Sequence, residues 1–182
     1  MPVAPPPAWP LPSGVMSASN LPTPSGNSLA APDLRGYRPG QSLMAQARAL
    51  ASADDAMLAA LAEAGVPAVL ARDLGRALDI TPRHFFRDLL GTNRSAAEKK
   101  AFTDAPLPAA AGRIALALLR LLGRAEALRG GGPGFDVARW LGRWIEQPQD
   151  GLQGRRPAEA LGSAEGLAAV LELLETEARR PG

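Results

Sequence analysis

The stretch Pro148-Gln149-Asp150-Gly151-Leu152-Gln153-Gly154-Arg155-Arg156-Pro157 decides the fold of the last third of the chain. Its two prolines and two glycines specify where helices stop and where the backbone turns. Pro148 ends the helix that precedes it, and Pro157 suits the first turn of a short helix that runs to Leu161. The stretch therefore predicts a tight elbow between helices.

A helix is predicted on each side of this elbow. Residues 135–147 place their apolar side chains on one broad side. Trp140 is predicted to lie in the core, whereas Trp144 fits either the core or an exposed association patch. Beyond the elbow, Ser163 is predicted to cap the last helix, and Gly166 stands where a larger side chain would obstruct close packing. An apolar stripe then continues at helical spacing through Leu167, Val170, Leu171 and Leu174.

The middle of the chain also carries apolar residues at helical spacing. A long helix over residues 107–128 is apolar around more than one face, which predicts a central position in the fold. Three further helices are predicted over residues 43–64, 69–78 and 81–90. No segment alternates between apolar and polar residues over a useful length, so the protein is predicted to be all-α.

The first forty residues differ in composition from the rest. They hold ten of the eighteen prolines, mixed with serine, glycine, alanine and asparagine. Such a segment buries too little apolar surface to offset the cost of ordering its backbone, so residues 1–40 are predicted to form a disordered tail. The remainder is predicted to divide into a helical domain over residues 41–129 and a C-terminal domain over residues 130–182.

Composition excludes several kinds of chemistry. The chain has 182 residues, no cysteine and one histidine. Disulfides, zinc–cysteine sites and thiol catalysis are therefore excluded, and no phosphate-binding loop or nucleophile–histidine arrangement occurs. We expect a binding protein without metal or cofactor, not an enzyme. The lack of a long apolar run or an export signal predicts a cytoplasmic protein that does not contact a membrane.

Positive charge is concentrated in the middle of the sequence. Residues 72–129 hold eleven Lys or Arg against six Asp or Glu, whereas residues 130–182 hold six against eight. Within the basic part, residues 73–87 predict two short helices that meet at a tight turn. Thr81 is the expected cap of the second helix, and Pro82 suits its first position. This arrangement has the form of a helix-turn-helix.

The second of these helices would present basic side chains to a partner. Arg83, His84 and Arg87 are predicted to project from it, as side chains that read the major groove of DNA do. Candidate phosphate contacts follow at Arg94, Lys99 and Lys100. A solvated basic face on an ordinary helix pair is the alternative. Two positions depart from the usual motif, since Gly75 stands where alanine is commoner and Asp79 where glycine often provides a positive φ.

The order of residues from 140 to 170 resembles the toxin-binding domain of the Xre/MbcA/ParS family of bacterial antitoxins. In that family the elbow reads proline, three residues, leucine, one residue, glycine, two residues, proline, as it does from Pro148 to Pro157, and the likeness continues to Gly166. The resemblance covers residues 74–174 and is strongest in the last third. It implies a domain that self-associates, as a homodimer, and holds a cognate toxin, preceded by a helix pair that binds operator DNA.

The same resemblance implies the function. We expect an antitoxin that neutralises a RES-type, NAD-degrading toxin and represses its own operon. The candidate toxin contacts lie around the elbow and at the C-terminus: Trp144, Arg155, Arg156, Arg179 and Arg180. The two terminal arginines also fit a frayed cationic helix end beside the helix dipole. A helix-turn-helix transcriptional regulator without a toxin partner is the alternative function.

Overall fold

A computed structural model of the protein describes residues 32–93, 105–129 and 134–179. Within these ranges the chain forms helices and no β-strand, which confirms the all-α prediction. The helices are α1 (Leu43–Leu50), α2 (Asp55–Ala64), α3 (Ala68–Ala77), α4 (His84–Leu89), α5 (Ala109–Arg129), α6 (Val137–Trp144), α7 (Pro157–Ala160) and α8 (Ala164–Arg179). None of these described helices combines the length and the apolar character that crossing a membrane requires.

The long helix α5 lies at the centre of the fold, as its apolar faces predict. It packs against α1, α2, α3, α6 and α8, and its leucines between residues 116 and 122 are fully buried. Burying each such side chain contributes about 1.5–3 kcal/mol to folding. Gly123 allows α1 to cross α5 closely, because a Cβ at this position would lie 2.0 Å from the carbonyl oxygen of Ala47.

The prediction of one helix over residues 43–64 is wrong, because the chain breaks between α1 and α2. The side chain of Asp54 accepts a hydrogen bond from the backbone N–H of Met57 at 2.7 Å and caps α2. Aspartate is favoured at helix starts because its side chain satisfies a backbone donor that has no helical partner. After the break, both helices pack against α5.

The predicted tail extends too far, because its last residues belong to the core. Leu34 and Tyr37 are 3% and 1% exposed, and the Tyr37 hydroxyl donates a hydrogen bond to Asp73 Oδ2 of α3 at 3.0 Å. Burial, followed by this hydrogen bond, raises the pKa of Tyr37 to about 12. Two apolar side chains thus anchor a segment whose proline and glycine content suggested disorder. Residues 1–31 lie outside the described ranges.

The predicted elbow lies between α6 and α7. A 3-10 turn over Asp150–Leu152 is followed by Gln153 and Gly154, whose φ angles are 57° and 77°. Glycine at position 151 lets the elbow approach α8 closely, because a Cβ there would lie 2.8 Å from Leu173 Cδ1 of α8. The elbow therefore packs directly on the last helix.

Helix α8 begins as predicted. Ser163 Oγ accepts a hydrogen bond from the Gly166 N–H at 3.1 Å. A Cβ on Gly166 would lie 2.0 Å from the carbonyl oxygen of Ala160, at the end of α7. A side chain at position 166 would therefore force α7 and α8 apart.

Candidate interaction surfaces

Helices α3 and α4 meet at the tight turn that the sequence predicts. Asp79 has a left-handed conformation with φ 58°, at the position where glycine is common in a helix-turn-helix. The Ile80 N–H donates to the Gly75 carbonyl at 3.1 Å. A Cβ on Gly75 would lie 2.9 Å from the ring of Phe85, so this glycine lets the two helices touch.

The second helix of the pair runs over residues 82–89, close to its predicted bounds, and is wound as a π-helix over His84–Leu89. The Leu90 N–H donates to the Phe85 carbonyl, five residues earlier, at 3.0 Å. Phe85 and Phe86 are both buried and meet edge to face, with ring centroids 5.4 Å apart. This winding, which is frequent at functional sites, accompanies the burial of two consecutive aromatic residues.

The exposed side of α4 and its flank are basic. Arg83 and Arg87 are exposed, and neither forms a salt bridge within the described ranges. They line an open cleft of about 560 Å³ with Gly91, Thr92 and Asn93. Outside the described residues lie the other predicted DNA contacts, Arg94, Lys99 and Lys100.

His84 connects α4 to the C-terminal helices. Its Nδ1 lies 2.8 Å from Asp88 Oδ2, and its Nε2 lies 2.9 Å from Glu146 Oε1, just beyond α6. The hydrogen bond with Asp88, and then the one with Glu146, raise the pKa of His84. Both ring nitrogens donate only in the imidazolium form, which two carboxylates stabilise. The imidazole that was predicted to contact DNA is therefore engaged within the chain.

Two further contacts join the α3–α4 turn to α6. Arg139 Nε lies 3.4 Å from Asp79 Oδ2. A Cβ on Gly142 would lie 1.9 Å from the carbonyl oxygen of Leu78, so α6 crosses the end of α3 at backbone distance. The turn and the C-terminal helices are therefore packed against each other.

The two tryptophans of α6 have different environments, and only Trp140 differs from its predicted place in the core. Trp144 is 6% exposed and lies in the core, whereas Trp140, predicted as core, is only partly buried. Their rings stack with centroids 5.9 Å apart. Trp144 therefore offers almost no surface to a toxin, because Trp140 lies over it.

Phe135 and Arg129 lie beside Trp140 on the surface of the protein, and the sequence did not predict this group. Phe135 is 40% exposed and its ring centroid lies 6.3 Å from that of Trp140. The guanidinium carbon of Arg129 lies 4.1 Å from the centroid of the Trp140 ring. The predicted helix included Phe135, whereas α6 begins only after Asp136, whose side chain caps the N–H of Arg139 at 3.0 Å. That cap was readable in the sequence and places Phe135 outside the helix.

Arg155 and Arg156, the predicted toxin contacts at the elbow, are both exposed. Arg155 forms no salt bridge in the part of the chain that the structure describes. Arg156 pairs with Glu159 at 2.8 Å and with Glu146 at 3.4 Å. Glu146 thus joins the elbow to His84 and α4.

The remaining predicted toxin contacts lie at the end of α8. Arg179 lies 3.4 Å from Glu175, which also pairs with Arg124 of α5. Arg180 lies outside the described ranges. Among the described residues, no group of three or more histidine, aspartate or glutamate side chains is placed to hold a metal ion.

Comparison with known proteins agrees with this architecture. Residues 124–178 match the antitoxin Xre/MbcA/ParS C-terminal toxin-binding domain. The chain is 34% identical over 112 residues to the Prs ADP-ribosylating antitoxin of Sphingobium sp. (strain YBL2), across 58% of this chain and 70% of that protein. The chain belongs to the Xre/MbcA/ParS family of antitoxins.

Membership of the Xre/MbcA/ParS family confirms the resemblance seen at the elbow. The protein is accordingly the antitoxin of a toxin–antitoxin system. The matched segment starts at Arg124, so it includes the end of α5 as well as α6, α7 and α8. The exposed ring of Phe135 and the arginine over Trp140 both lie within it.

Proposed function

We propose that the protein neutralises its cognate toxin by binding it through residues 124–178, and that it acts by binding and not by catalysis. The observation that carries this proposal is the match of this segment to a toxin-binding domain. The packing of α6 and α8 on α5 supports it, because a surface that is already ordered loses little conformational entropy when it binds.

The proposed toxin is an enzyme that uses NAD. The resemblance seen in the sequence implies a RES-type toxin, which degrades NAD, while the relative from Sphingobium has "ADP-ribosylating" in its name. Both reactions break the bond between nicotinamide and ADP-ribose. We propose a RES-type toxin. An ADP-ribosyl transferase, which breaks the same bond, is the alternative toxin.

The proposed toxin contacts are arginines. Among the described ones, Arg155 is exposed and forms no salt bridge, and Arg156, Arg179 and Arg180 join it. Guanidinium groups pair bidentately with carboxylates and phosphates, which suits a toxin that binds a dinucleotide. Arg156 and Arg179 would exchange their glutamate partners for toxin groups. Trp144 contributes indirectly, by supporting Trp140 from beneath.

Growth rescue tests this function. Cells that express the product of the gene adjacent to the antitoxin gene should stop growing, and co-expression of the antitoxin should restore growth. Gly166→Val should abolish rescue, because a Cβ there would meet the Ala160 carbonyl oxygen at 2.0 Å. Gly162→Val is the matched control, since a Cβ at Gly162 has no heavy atom within 4 Å. Continued growth arrest with the wild-type antitoxin present would contradict the function.

Repression of its own operon is a second proposed function. It is supported by the left-handed turn at Asp79 and by the exposed Arg83 and Arg87, which form no salt bridge within the described ranges. We propose that a cytoplasmic homodimer binds operator DNA through these arginines. Fluorescence anisotropy with a labelled fragment of its own promoter tests this function. Promoter binding without any toxin binding would favour a transcriptional regulator instead.

A further inference from the structure

The side chains Arg129, Phe135, Trp140 and Arg143 form an aromatic–arginine surface on α6 and the segments before it. Phe135 is the exposed large apolar side chain among the residues that the structure describes. Its ring and that of Trp140 are tilted by 46° with centroids 6.3 Å apart. Aromatic side chains held in this way present a large contact area at a small cost in conformational entropy.

A buried foundation holds this surface in place. The ring of Trp140 stacks on that of Trp144, which is 6% exposed and lies in the core. Arg129 covers Trp140 with its guanidinium group, 4.1 Å from the ring centroid. Aromatic and arginine side chains on a rigid base are the residue types that dominate binding energy in protein interfaces.

The charge of the surface is positive. Arg129 and Arg143 form no salt bridge within the described ranges. Arg143 follows Arg139 by four residues in α6, and like charges at this spacing repel each other. Arg139 has one ion pair, with Asp79 at 3.4 Å, in which both side chains are more than half exposed. The acidic residues near these arginines in sequence are engaged elsewhere: Asp136 caps α6, Glu126 pairs with Arg48, and Glu146 pairs with His84 and Arg156.

We propose that the aromatic–arginine surface docks an acidic segment of the cognate toxin that carries an apolar side chain. The inference rests on the proposed function and adds a contact surface apart from the elbow and the C-terminal arginines. The apolar side chain would pack on Phe135, while carboxylates would pair with Arg129 and Arg143. Charge complementarity favours this occupant, and the surface lies inside the segment matched to a toxin-binding domain.

Titration of full-length antitoxin variants with a catalytically inactive form of the adjacent gene product tests the surface. Phe135→Asp should raise the Kd by about 30-fold or more, the size of an interface hot spot. Arg129→Glu should raise it by about tenfold or more. Phe135→Leu should keep most of the affinity. Arg76→Glu, at an exposed position of α3, is the charge-matched control and should change the Kd by less than about twofold.

Each outcome of this titration has a distinct meaning. If the wild-type antitoxin does not bind the toxin, the proposed function fails and this inference fails with it. If the wild type binds and both Phe135→Asp and Arg129→Glu leave the Kd within twofold, this inference alone is wrong. If sedimentation shows that Phe135→Asp dissociates a homodimer while its toxin affinity is unchanged, the surface belongs to a second copy of the chain, and the inference is overturned.

Discussion

His84 has a carboxylate at each of its two ring nitrogens. Asp88 belongs to the same helix, whereas Glu146 lies beyond α6 and also pairs with Arg156. The sequence predicted that His84 projects from α4 towards DNA, which stays a prediction, and the structure adds two partners within the chain. Glu146 is far from His84 in sequence, so no local pattern announces the contact.

The His84 contacts predict a pH dependence of stability. Since the hydrogen bonds raise the folded-state pKa of His84 above 6.5, their contribution is fully present below that pH. It is lost as the pH rises through the folded-state pKa. The free energy of unfolding of the wild type should exceed that of His84→Gln at about pH 5, and the difference should shrink by about pH 9. The effect should stay below about 1 kcal/mol, because water screens a side chain that is 35% exposed.

Urea unfolding at several pH values measures this difference. Gln153→Asn, a change between uncharged amide side chains at an exposed position, serves as the control and should show no such trend. If the free energy of unfolding differs between the wild type and His84→Gln by the same amount at about pH 5 and about pH 9, the His84 contacts do not stabilise the fold in this way.

Single residues were predictable where the cause is local. Ser163 and Gly166 lie three residues apart, and their cap and close contact follow from that spacing. The exposure of Trp140 and the burial of Trp144 were not predictable in this way. Both lie on the apolar side of one helix, but Trp144 belongs to the buried core, whereas Trp140 packs against that core and stacks on Trp144.

At the scale of elements, capping and winding account for the differences from the sequence analysis. The break before α2 follows from the Asp54 cap, whose signal was present but was outweighed by the helical spacing of the leucines around it. The π-helical winding of α4 has no comparable local signal, because it depends on how Phe85 and Phe86 pack against the core. Helix existence was therefore easier to predict than helix boundaries.

The α3–α4 pair predicts how DNA binding should respond to mutation. If Arg83 contacts a base edge, Arg83→Ala should reduce the free energy of binding to the operator by about 1–3 kcal/mol, and that to unrelated DNA by much less. If Arg87 contacts phosphate, Arg87→Ala should weaken binding to both fragments. It should also reduce the slope of log K against log salt concentration by about one. Arg155→Ala removes the same charge from the elbow and is the control. Anisotropy titrations at several salt concentrations measure both effects, and operator affinity no greater than that for unrelated DNA would contradict the role of α4.

At the scale of the whole molecule, the α3–α4 pair and the toxin-binding segment pack directly against each other. Gly142 of α6 lies at backbone distance from Leu78, and α5 packs against helices of both parts. The matched segment itself begins within α5. A toxin that contacts α6 would therefore lie close to the α3–α4 pair, which is joined to the C-terminal helices by the His84–Glu146 and Arg139–Asp79 ion pairs.

The sequence predicted the class of the fold, its central helix and the family, because each depends on periodicity or on the spacing within one short elbow. It did not predict how the helices meet. Leu34 and Tyr37 are buried in the core, and Tyr37 makes a long-range hydrogen bond to Asp73 of α3, which a composition rich in proline concealed.

The central claim is that residues 124–178 bind a toxin, and calorimetric titration of the full-length antitoxin with the inactive adjacent gene product tests it most directly. The account predicts a saturable complex with a Kd below about 1 µM. The absence of a complex when both proteins are present at well above that concentration would contradict it.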